Sequence, residues 1–168
     1  IVVAGGLRGG DSVTDASVFD PGSDAWSPLQ PLAVARDHLA AANVGGRVYA
    51  ATGRDHGALR TALEVLDVAN GSWSRRADIP TARGGVAAAA LSGRLVVLGG
   101  EGNSDDPAGI FHEVESYDPS SDTWRADPPM RTARHGIGAA VVGDRLYVPG
   151  GATQEGFGAV TANESFAY

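Results

Sequence analysis

Three tryptophans, Trp26, Trp73 and Trp124, stand 47 and 51 residues apart, and other markers keep step with them. Arg36, Arg83 and Arg134 follow proline-rich stretches at the same spacings, and the small pairs Gly5-Gly6, Thr52-Gly53, Gly99-Gly100 and Gly150-Gly151 recur at 47, 47 and 51. Asp20, Asp67 and Asp118 each precede a Trp by six residues. Markers that stay in phase define a repeat of about 50 residues, and such a period means stacked supersecondary units.

Each unit reads as four short strands, A to D. In Gly84–Arg134, strand A is Val86–Leu91, the turn Ser92-Gly93-Arg94 leads to strand B at Leu95–Leu98, and Gly99-Gly100 ends it. A long polar loop follows, then strand C at Glu113–Tyr117, a Pro119–Asp122 turn, and strand D with Trp124. With 24 glycines and 9 prolines in 168 residues, the chain is punctuated too often for long helices. The expected class is all-β. Strand A is built of small residues in every copy (Leu39–Ala42, Val86–Ala90, Gly136–Ala140), which suits an innermost strand crowded about an axis.

The diglycine after an apolar strand, the aromatic-Asp of strand C, the Trp six residues on and the Arg about ten beyond resemble kelch repeats over nearly the whole chain. The resemblance implies four-stranded antiparallel blades of a β-propeller. Two departures stand out: Thr52 replaces a glycine, and Leu66 replaces the usual aromatic, so looser packing is expected in the second unit.

The strand phase gives a partial blade B-C-D over 1–36, full blades over 37–83 and 84–134, and a partial blade A-B-C over 135–168. That is about three and a half blades, fewer than the four to eight of closed propellers. The favoured expectation is a piece of a longer propeller of six or seven blades, and the alternative is a homodimer completing one ring.

All 13 basic residues are arginine, against 20 acidic ones, for a net charge of −7 with no basic block. Nucleic acid and membrane surfaces are therefore not expected partners. The absence of cysteine removes disulfides, thiol nucleophiles and Cys-type zinc sites, and the absence of lysine removes Schiff-base chemistry. Ile1–Gly6 has neither the charged start nor the apolar length of a signal peptide or anchor, so the compartment is not read from these residues.

In an antiparallel blade the A–B and C–D turns share one face, and the B–C and D–A loops share the other. The A–B turns are near-identical, whereas the B–C loops Leu7–Asp15, Arg54–Thr61, Glu101–His112 and Ala152–Asn163 differ in length and chemistry, as specificity loops on a repeated scaffold do. Residues that recur in every unit read as scaffold: Trp26, Trp73, Trp124, Tyr117 and Phe166 as packing, and Glu64, Glu115 and Glu164 as structural ion pairs or backbone acceptors. Arg36, Arg83 and Arg134 also recur but sit where the D–A loop enters strand A. A ring of arginines at a channel mouth could grip carboxylates, as the resemblance also implies, and scaffold and ligand roles carry equal weight for them. His38 and His135 follow them, and the B–C loops contribute Arg54, His56, Glu101, Asn103 and His112 as further ligand-binding candidates. No metal site or cofactor is expected: two histidines lack a third ligand, and Glu101–Asp106 lacks the spaced glycine and terminal glutamate of a calcium loop.

The leading expectation is a non-enzymatic interaction module for a protein or acidic peptide. The alternative implied by the resemblance is a carbohydrate-acting or sugar-binding propeller like a sialic acid mutarotase. A copper radical oxidase is excluded, because its crosslinked radical needs a cysteine. An enzyme calls for a closed pocket with a strongly perturbed group, a binder for a broad loop face.

Overall fold

A computed structural model describes residues Ile1–Tyr168, which form strands and no helices. The first sheet joins β1 (Val2–Ala4), β4 (Ala16–Asp20) and β5 (Ala25–Pro28), with a small ribbon of β2 (Leu7–Arg8) and β3 (Asp11–Ser12) in its long loop. The second orders β6 (Ala40–Val44), β7 (Arg47–Ala51), β10 (Leu63–Asp67) and β11 (Ser72–Arg76), with the ribbon β8 (Arg54–Asp55) and β9 (Ala58–Leu59) between β7 and β10. The third is β12 (Ala87–Leu91), β13 (Arg94–Leu98), β14 (Val114–Asp118) and β15 (Thr123–Asp127). The fourth is β16 (Ala140–Val142), β17 (Arg145–Pro149) and β18 (Asn163–Phe166). Every sheet is antiparallel, with strands joined in chain order, which makes about three and a half propeller blades.

The run Leu95–Leu98 shows why a middle blade lacks a polar face. Leu95 and Val97 pack toward the second sheet with Tyr49, Leu63, Ile79 and Tyr117, whereas Val96 and Leu98 pack toward the fourth with Met130, Leu146 and Val148. Alternate side chains of a strand point to opposite faces, so a blade buried on both sides is apolar throughout. The outer blades bury one face, leaving Val3 and Val142 exposed on the other. Trp124 packs toward the preceding sheet and donates from Nε1 to the Ala77 carbonyl at 2.8 Å. Its counterpart Trp26 lies in the first sheet, with no sheet before it, and is 55% exposed rather than packed between blades. Leu66, which stands in place of the usual aromatic, is fully buried.

The inner strands β6 and β12 are alanine-rich and meet each other, and β12 meets β16 in turn; small side chains permit this approach. Outside them, a line of main-chain bonds passes from one blade to the next: Gly85 N donates to His38 O, and Gly136 N to Gly85 O, each at 2.9 Å. All three residues have positive φ, a conformation glycine adopts freely and histidine does not. At Gly99 a side chain is excluded outright, since a Cβ would stand 2.3 Å from the Arg134 carbonyl. Bridges Asp37 to Arg54, Gly84 to Glu101 and His135 to Ala152 tie D–A loops to B–C loops, so these loops share one face of the disc.

Candidate functional site

The three repeated arginines are fully buried and face inward. Arg36 donates to the carbonyls of Ala50, Thr52 and Ala62 and pairs with Glu64 at 3.1 Å. Arg83 donates to Val97, Gly99 and Thr81 and pairs closely with Glu115. Arg134 donates to Val148, Gly150, Ala162 and Thr132 and pairs with Glu164 at 3.0 Å. Each guanidinium, with five donors, thus gathers main-chain carbonyls from the end of strand B and from the loops around it. Burial lowers Arg36 to about 10 against the attraction of Glu64, and burial likewise lowers Arg83 against Glu115. The glutamates also hold the D–A loops: Ala33 N donates to Glu64 at 2.7 Å, Thr81 Oγ1 to Glu115 at 3.0 Å and Arg131 N to Glu164 at 2.8 Å. These arginines have no exposed surface to offer a ligand, and they line no mouth.

What stands at the axis instead is a polar network that draws on all four blades, whole and partial. Ser12 Oγ donates to Asp37 Oδ2 at 2.7 Å, and Asp37 Oδ1 accepts from His38 Nδ1 and, at 3.2 Å, from Arg54 Nε. Arg54 Nη2 meets His38 Nε2 at 3.0 Å, and its Nη1 donates to Glu101 Oε1 at 3.0 Å. Glu101 Oε2 lies 3.0 Å from His135 Nδ1, and His135 Nε2 lies 2.9 Å from the Gln154 carbonyl. Asp37, Glu101 and His135 are buried; the side chains of Arg54 and His38 are 28% and 37% exposed and present the network to solvent. Burial opposes ionisation of Asp37, yet the hydrogen bonds from Ser12, His38 and Arg54 hold its carboxyl below its ordinary value.

The sequence candidates thus divide. His38, Arg54, Glu101 and His135 come together at the axis. Asn103 lies farther out, in an open groove of about 670 Å³ between two B–C loops, with Asp106, Pro107, Ala108, Gly109, Gln154 and Glu155. His56 is exposed beside Asp11 and Asp55, each 3.7 Å away, and His112 is exposed beside Glu113; neither reaches the network. Asp37 was not among the candidates. Its signal was its singularity: the residue after the repeated arginine is Asp37, Gly84 and His135 in turn.

A family model described as the KLHDC2/KLHL20/DRC7 Kelch-repeats domain matches residues 1–151. The chain belongs to the kelch-repeat family. It is 28% identical over 143 residues to Kelch-like protein terF of Aspergillus terreus, covering 83% of this chain and 31% of that protein. It is 43% identical over 42 residues to mouse Kelch-like protein 1, covering 25% of this chain and 6% of that one. Among solved structures, YjhT superposes with a TM-score of 0.78 at 18% identity, over 94% of this chain and 50% of that chain, a likeness of fold. The kelch chain described here therefore spans a third or less of these curated relatives and half of YjhT.

Proposed function

We propose that this kelch chain is a non-enzymatic interaction module that receives a protein or peptide segment on its B–C and D–A loop face. The observation that carries the reading is convergence. Residues that occur once in the repeat, Asp37, His38, Arg54 and Glu101, meet on that face, beside an open groove whose B–C loop carries Phe157 at 84% exposure. A broad polar groove with an exposed aromatic on one of the loops that form it suits a peptide anchor better than a small substrate.

The carbohydrate-acting reading would need Glu101 and His135 as an acid–base pair with Arg54 for a sugar carboxylate. Their pairing distance suits it; their burial and mutual engagement count against it. The outer faces bearing Val3 and Val142 would be covered by further blades of a longer chain or by a second copy. Light scattering on the full chain separates the two, a stable dimer favouring the second copy.

The functional test begins with a displayed peptide library selected against the full chain. Selected peptides should lose about tenfold or more in affinity on Phe157→Ser or Arg54→Gln, as hot-spot residues do. Equal binding by these variants would remove the loop face from consideration, and interconversion of sialic acid anomers by the chain would replace the module with the enzyme.

A further inference from the structure

On the opposite face, where the A–B and C–D turns look purely structural, two arginines are left without a carboxylate partner. Nine of the 13 arginines lie within 4 Å of a carboxylate, and the exceptions are Arg47, Arg76, Arg131 and Arg145. Arg131 and Arg145 flank the uncovered edge of the fourth sheet. Arg47 and Arg76 are different: both line one cleft of about 370 Å³ between the second and third blades, walled by Val44, Tyr49 and Pro119.

The comparison between blades makes the vacancy specific. Arg94, the third-blade counterpart of Arg47, is neutralised by Asp118 at 2.9 Å. Asp118 gives only Oδ1 to its own C–D turn and keeps Oδ2 for Arg94, whereas the matching second-blade carboxylate, Asp67, engages both oxygens in its turn, Oδ1 accepting from Ala69 N at 3.0 Å and Oδ2 from Asn70 Nδ2 at 3.3 Å. Asp122 is near enough to feel Arg76, but its Oδ1 accepts from Ala77 N and from the Tyr117 hydroxyl. Arg76 donates only to the neighbouring Arg75 carbonyl, and it occurs once, Asp127 standing at its place in the next blade.

We infer that this inter-blade cleft is a second binding site, for a carboxylate side chain of an acidic protein segment, held between the Arg47 and Arg76 guanidiniums with its methylene stem against Tyr49 and Pro119. Two planar donor forks match carboxylates, and an apolar wall favours a side-chain carboxylate over a compact inorganic anion. The site stands apart from the loop-face reading, so either can fail alone.

The test is an NMR titration of the full chain followed at the arginine Nε–Hε signals. Probes are a blocked Glu-Glu dipeptide, its Gln-Gln counterpart and inorganic phosphate. The Arg47 and Arg76 signals should shift saturably with the glutamyl probe and not with the glutaminyl one, and Arg47→Gln or Arg76→Gln should weaken binding about tenfold while the melting temperature holds. Unmoved Arg47 and Arg76 signals, equal response to Gln-Gln, or phosphate binding as tightly as the glutamyl probe would each overturn the proposal.

Discussion

Arg54 reaches across a blade boundary to Glu101, Nη1 to Oε1 at 3.0 Å, from the position after the Thr52-Gly53 pair to the same position after Gly99-Gly100 in the next repeat. The repeat thus does more than duplicate a sheet. It brings equivalent positions of successive blades within side-chain reach around the axis, where unlike residues form a network that no single unit holds.

That link should be measurable as coupling between blades. A double-mutant cycle of Arg54→Ala and Glu101→Gln, followed by denaturant unfolding, should give about 1 kcal/mol, between the values of exposed and buried pairs because Arg54 is partly solvated. The coupling should fall with added salt. Additivity of the two substitutions would mean that the bond does not join the blades.

The buried arginines call for a larger effect. Arg83→Met would leave Glu115 buried beside an apolar side chain and remove the bonds to the Gly99 and Val97 carbonyls. Losing one partner of such a pair costs about 3–5 kcal/mol, which chemical denaturation would detect. A ligand-gripping arginine on a surface would lower binding and spare stability; a denaturation midpoint unchanged from the parent would restore that role.

The blades were legible because their signal is local and repeated: diglycine, aromatic-Asp, Trp and Arg each mark one place in a strand. The fate of the arginines was not. Arg36, Arg83 and Arg134 carry long side chains from a loop beside the axis, and a guanidinium there can point out toward solvent or back under the diglycine. Each arginine has its glutamate in the next strand C, at Glu64, Glu115 and Glu164, and that co-recurrence was the available sign of pairing. Asp37 and the Arg47–Arg76 cleft were harder, because each depends on what a neighbouring carboxylate does with its oxygens, which spacing alone does not encode.

Acid should unfold the protein partly through Asp37. Its folded value lies below the ordinary 3.8, so its ionised form stabilises the fold above that value, and this stability is lost as pH falls through the folded value. Asp37→Asn should flatten the fall of melting temperature below about pH 4, the unfolded range of an aspartate. Parallel melting curves for the parent and the variant would show that the network does not depend on this charge.

His38 sets stability against function. It holds φ at 51°, where the next two blades place Gly85 and Gly136, and in each blade this residue bonds main chain to main chain around the axis. A side chain in that conformation costs about 1 kcal/mol relative to glycine, and such strain persists where something else requires the residue. The His38 ring joins Asp37 to Arg54 and is among the solvated parts of the network. His38→Gly should therefore keep or raise the melting temperature, since relief of strain offsets the lost ring contacts, while weakening any peptide selected on the loop face. A variant that melts lower and binds as well as the parent would make His38 a structural residue, and the loop face would then have to be defined by Arg54 and Phe157.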